Sequence, residues 1–253
     1  MQPRDRLRKA LTLEGQPSLV AFFTAGYPDC DSFLDVLREV CTAADAVEIG
    51  VPFTDPMADG VTVQRSSQAA LDNGVSLHWI FDQLAGRSYE LPAPILLMSY
   101  LNPLYAFGFE ALAERALETG VSGFIVPDLP YEESGPLKEA LDAKGLALVQ
   151  LVTPATPSER LGLLCRVSEG FVYAVTRTGI TGAGDGLPDD VSGYLAAVKK
   201  ASSLPVCAGF GVREQTQVRQ IAEHADGVIV GSALLEALEA GKSPREFLES
   251  LRP

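Results

Sequence analysis

The chain is predicted to be α/β, a closed (β/α)8 TIM barrel with an extra N-terminal helix, in one domain spanning residues 1–253. Three observations predict this. Short apolar runs alternate strictly with amphipathic segments, which implies right-handed βαβ units and a parallel sheet. About eight such units fit into 253 residues, the usual size of this barrel. Polar residues gather after the apolar runs, where barrels carry their active sites. An open doubly wound sheet is the structural alternative.

The elements follow in order. Residues 3–14 form an opening helix with Leu7, Leu11 and Leu13 on one side. Ser18–Thr24 is a continuous apolar run between Pro17 and Gly26, as expected of a strand buried on both faces. From Asp29 to about Cys41, Phe33, Val36, Leu37 and Val40 show helical spacing. Strand 46–49 precedes helices at about 62–72 and 76–85. Strand 94–99 precedes helix 109–119, and strand 123–126 precedes helix 132–144. Strand 147–151 leads to helix 157–167, and strand 170–175 to helix 189–202. Strand 205–208 leads to helix 213–223. Strand 227–230 is the last, and helices 233–239 and 244–250 close the chain.

Composition bounds the function. Hydrophobic residues make up 47% and charged residues 21%, enough for a large core. No signal peptide and no membrane-length apolar run is visible. Cys30, Cys41, Cys165 and Cys207 are scattered, which predicts reduced thiols in a cytoplasmic protein. His78 and His224 are far apart, each placed in a helix, with no neighbour at metal-ligand spacing, so no metal site is expected. The net charge of −13 argues against nucleic acid. Backbone amides can still bind a small anion.

The segment Val47–Gly60 carries the first constellation. Glu48 sits within a buried strand, and the loop after it carries Asp55 and Asp59. A carboxylate inside a strand is costly unless paired. Two carboxylates facing one cavity can have their pKa values pushed apart, giving an acid and a base. The plainer alternative is an ion pair for Glu48 and turn-forming roles for Asp55 and Asp59. The other mouth positions are Tyr100-Leu-Asn102, Asp128, Tyr173 and Thr176–Gly186.

A second constellation is Ala208-Gly-Phe-Gly211 and Val230-Gly-Ser-Ala233, after the last two strands. Glycine there lets backbone approach an anion, and a helix N-terminus supplies free N–H groups. The alternative is ordinary turn glycine with Ser232 as N-cap. The third is Thr176–Pro188, whose Gly179, Gly182, Gly184 and Gly186 mark a candidate lid or a plain surface loop.

These residues together resemble a known family. Glu48-Ile-Gly-Val-Pro-Phe-Thr-Asp-Pro-Met-Ala-Asp-Gly60 is similar to the signature of the tryptophan synthase α subunit. Phe22–Pro28, Tyr100–Pro103, Pro127–Ser134, Arg177–Gly182, Gly209–Gly211 and Gly231-Ser232 follow in the family's order and spacing, from about residue 4 to residue 250. The resemblance implies a lyase that cleaves indole-3-glycerol phosphate to indole and glyceraldehyde 3-phosphate. It implies that Glu48 is the general acid/base and that Asp59 accepts the indole N–H. Phe22, Tyr100, Tyr173 and Phe210 match the indole pocket. Gly182, Gly211, Gly231 and Ser232 match phosphate binders, and Thr181 matches a lid residue that closes on Asp59. Asp55, Pro56, Asn102 and Pro103 match loops facing a β subunit, in an α2β2 assembly. The pyridoxal phosphate (PLP) belongs to that partner, with no cofactor in this chain. One departure is visible: many members have Pro where Val61 stands, and the freer φ is expected to alter loop ordering and coupling to the partner. A stand-alone lyase releasing indole and a silent regulatory subunit are the rivals. A Schiff-base aldolase is disfavoured because no lysine lies in a predicted strand; Lys199 and Lys200 are in a helix.

Overall fold

The computed structural model describes residues 1–13, 15–87, 89–176, 191–209 and 211–253. Helix α1 (Pro3–Ala10) leads into β1 (Ser18–Thr24), α2 (Phe33–Ala43) and β2 (Ala46–Gly50). Then come α3 (Val61–Asp72), α4 (Leu77–Gly86), β3 (Ile95–Met98), α5 (Leu101–Phe107), α6 (Phe109–Glu118) and β4 (Val121–Ile125). They are followed by α7 (Gly135–Ala143), β5 (Ala147–Val152), α8 (Ser158–Val167), β6 (Val172–Val175) and α9 (Val191–Ala201). The last elements are β7 (Val206–Gly209), α10 (Gln215–Ala222), β8 (Gly227–Val230), α11 (Ser232–Glu239) and α12 (Pro244–Leu251). The eight strands pair in sequence order, all parallel, and β8 pairs with β1 to close the barrel. The closed sheet excludes the open doubly wound alternative. No helix of the described residues is long and apolar enough to cross a membrane.

Strand alternation splits the apolar residues into two cores. Outward side chains such as Phe23, Ile49 and Phe124 pack beneath the helices. Inward ones, including Val20, Leu96, Val149 and Ile229, fill the barrel. Leu7 and Leu11 from the opening segment pack into this inner cluster, which explains the extra helix. That helix ends at Ala10 rather than residue 14, and Leu13 is 36% exposed, not on the buried side. At the same end, Glu169 accepts the Leu148 N–H and pairs with Arg4 at 2.7 Å.

Other boundaries differ from expectation for local reasons. β4 starts at Val121, two residues early, where its pairing with β3 shifts register. The helix expected from 132 opens as a single 3-10 turn, Tyr131–Glu133, and becomes α-helical only at Gly135. His224 lies in the turn after α10, not in the helix. The segment at Tyr100–Asn102, expected as loop, begins helix α5. Pro103 is tolerated there because first-turn N–H groups have no helical partner anyway.

Candidate active site

Strand β2 places Glu48 inside the barrel. It lies in register between Phe22 of β1 and Leu96 of β3, so all three point inward. Glu48 is fully buried, and among the described residues neither carboxylate oxygen has a hydrogen-bond partner. The ion-pair alternative for this residue therefore fails. Burial among apolar neighbours pushes its pKa up from 4.5 to about 8. The group is a neutral acid at pH 7.

Asp59 hangs from the loop between β2 and α3. Burial raises its pKa to about 6, and a hydrogen bond from Tyr100 opposes that rise. The Tyr100 hydroxyl donates to Asp59 Oδ2 at 3.1 Å and accepts the Ala58 N–H at 2.8 Å. Its ring stacks on Phe53 with centroids 5.1 Å apart. Tyr100 thus fastens the loop and the carboxylate together. The Tyr173 hydroxyl is also pushed well up, first by burial and then by the nearby charges of Glu48 and Asp59. The two carboxylates and Tyr173 therefore share one electrostatic environment.

Phe22, Gly50, Asp59, Ser67, Tyr100 and Pro127 are among the residues lining one cavity at the C-terminal mouth. Three glycines make room for the aromatics Phe22 and Tyr173. A Cβ on Gly50 would stand 2.7 Å from the Phe22 ring, and one on Gly209 would stand 2.7 Å from the Tyr173 hydroxyl. A Cβ on Gly231 would meet Phe22 at 3.3 Å. Gly209 therefore serves Tyr173, a role its motif did not suggest. Gly211 is different: its φ is +65° and a Cβ there would meet open space. Gly231 is the N-cap of α11 and Ser232 its first residue, so Ser232 is not the cap. Gly211 and this helix start follow adjacent strands. The N–H groups of this helix start have no helical partner and suit a phosphate.

Asp55 stands apart from the cavity. It is exposed and accepts a hydrogen bond from Thr54. Pro56 lies on the same loop, while Asn102 and Pro103 lie in the first turn of α5. Asp128 caps that turn by accepting the Leu101 N–H at 2.9 Å, a structural use of a mouth carboxylate. Thr181, Gly182 and Phe210, with the candidate lid beyond Thr176, lie outside the described residues. Ser67 and Val63 were missed in the sequence. Their signal was the i, i+4, i+8 spacing from Asp59 along α3. Among the described residues no group of His, Cys, Asp or Glu could hold a metal ion. None of the eight strands carries a lysine.

A family model described as "Tryptophan synthase alpha chain" matches residues 9–252. This chain belongs to the tryptophan synthase alpha chain family. A relative of that name from Desulfovibrio desulfuricans is 45% identical over 243 residues, covering 95% of each chain. One from Bacillus cereus is 42% identical over 251 residues, covering 96% of each. Among solved structures, tryptophan synthase from M. tuberculosis in its aminoacrylate-bound form matches with a TM-score of 0.87 and 31% identity. That match covers 99% of this chain and 98% of the other. The alpha subunit from Legionella pneumophila matches with a TM-score of 0.84 and 30% identity, over 99% and 97%. The family is the lyase of tryptophan biosynthesis that cleaves indole-3-glycerol phosphate, and this chain shares its barrel.

Proposed function

We propose that Glu48 and Asp59 carry the cleavage, and that the indole passes to a pyridoxal-phosphate-dependent β subunit. The observation that carries this reading is the buried Glu48 carboxyl, partnerless among the described residues, whose charge acts on Tyr173 together with that of Asp59. Protonated Glu48 adds its proton to indole C3. Asp59, still ionised at neutral pH, accepts the ring N–H and stabilises the positive charge that develops. Glu48, now a carboxylate, removes the proton from the glycerol hydroxyl beside C3. The carbon–carbon bond breaks, its electron pair returns to C3, and the hydroxyl carbon becomes the aldehyde of glyceraldehyde 3-phosphate. Positioned proton transfer of this kind contributes about 10²–10⁴-fold.

Phe22, Tyr100, Tyr173 and Phe210 form the indole pocket. Gly182, Gly211, Gly231 and Ser232 hold the phosphate, and Thr181 closes on Asp59. Asp55, Pro56, Asn102 and Pro103 face the partner in an α2β2 assembly. The exposure of Asp55 and Asn102 supports that role. The pyridoxal phosphate is the partner's, and this chain needs only acid, base and a phosphate grip. Four free thiols, Cys30, Cys41, Cys165 and Cys207, favour a reducing, cytoplasmic setting. The chain is taken as one domain, supported by β1 and β8 sharing one sheet.

The test is indole release from indole-3-glycerol phosphate, with and without a tryptophan synthase β subunit. Slow release that the β subunit accelerates, and that Glu48→Gln abolishes in both conditions, is expected. Fast release by the chain alone would indicate a stand-alone lyase. No release, with the β subunit still activated, would indicate a regulatory subunit.

A further inference from the structure

Helix α3 turns one face toward the cavity. Asp59 precedes it, and Val63 and Ser67 follow at four-residue steps, each roughly 6 Å further along the axis. All three line the cavity. The helix is held in this rotation by the residue next door. Ser66 bonds the buried Thr24 hydroxyl of β1 at 2.7 Å and donates to the Val63 carbonyl at 2.9 Å. Ser67 differs. It is only 5% exposed, and among the described residues its hydroxyl has no hydrogen-bond partner. Its oxygen is not among the sealed, partnerless polar atoms, so it keeps access to the cavity it lines and is open to bond a ring held there. The same cavity is also lined by the apolar Phe22, Val51, Met98 and Pro127, with Ser99 and Tyr100 as its other hydroxyl-bearing residues.

We infer that Ser67 is a specificity residue that reads the benzo edge of the indole ring and admits rings bearing a small hydrogen-bonding substituent there. This rests on the cleavage reading above. If Asp59 takes the ring nitrogen, the benzo ring extends along α3 toward Val63 and Ser67. A ring hydroxyl in that position completes the Ser67 bond. A methyl group in the same position meets the serine oxygen and gains nothing from it.

The test runs the reaction in the condensing direction with the full chain. Indole C3 adds to the aldehyde carbon of D-glyceraldehyde 3-phosphate, C3 loses its proton and the aldehyde oxygen gains one. The rings compared are indole, the hydroxyindoles substituted at each benzo carbon, and the matching methylindoles. The variants are wild type and Ser67→Ala, a change that removes no side-chain bond among the described residues and favours a helix. Wild type is expected to use at least one hydroxyindole within about tenfold of indole. Ser67→Ala is expected to cut that ring's kcat/KM about fivefold relative to indole, the effect of one hydrogen bond. The matching methylindole moves the other way, a split that a purely structural role would not produce. Equal changes for every ring, or no hydroxyindole condensing while indole does, would overturn the inference. If indole itself fails to condense, the cleavage reading falls and takes the inference with it.

Discussion

The hydrogen bond from Tyr100 limits how far burial lifts Asp59. The pKa of about 6 is a balance between desolvation, which raises it, and that donor, which lowers it. Tyr100→Phe removes the donor and keeps the ring on Phe53. The Asp59 pKa then rises, so the acid limb of the kcat/KM profile moves to higher pH by up to about one unit. The alkaline limb, set by Glu48 near 8, stays. A profile whose acid limb does not move would remove Asp59 from that limb. Glu48 was legible in the sequence because a charge inside an apolar run demands an explanation. The Tyr100 contact was not, because its partners are 41 positions apart and meet only once the barrel closes. The same holds for Gly50 and Gly209, whose missing side chains make sense only beside Phe22 and Tyr173.

At the scale of elements, Val61 is the clearest case. The sequence suggested loop freedom there, but Val61 is the first residue of α3 and is 65% exposed. Gly60 before it is extended, at φ −77° and ψ 166°, as a residue before proline prefers. The first N–H of a helix has no helical partner to lose. Val61→Pro should therefore stabilise the fold by roughly 0.5–1 kcal/mol, read in urea or thermal unfolding. Destabilisation would show that α3 does not begin at Val61. The strands were legible because parallel strands buried on both faces appear as unbroken apolar runs. Helix α5 was not, because Asn102 and Pro103 are turn formers whose helical use depends on Asp128 capping from the next unit. Helix ends such as Ala10 were set by packing into the barrel floor, which local spacing does not encode.

At the scale of the whole molecule, closing the barrel around a carboxyl ties stability to pH. Glu48 has a folded pKa of about 8, above its ordinary 4.5. The folded state therefore keeps a proton that the unfolded chain has already lost. Stability is lost as pH rises from about 4.5 to about 8 and changes little beyond, by several kcal/mol at most. Glu48→Gln cannot ionise. Its stability relative to wild type should climb across that window and level off above it. A gap independent of pH would show that Glu48 ionises as freely in the barrel as in the unfolded chain. The most direct measurement is the infrared difference spectrum of wild type minus Glu48→Gln across a pH titration. A protonated-carboxyl band present at pH 6.5 and lost with a midpoint near 8 is the predicted result. A band already gone by pH 6, with a midpoint near the ordinary value of 4.5, would contradict the assignment of Glu48 as the acid.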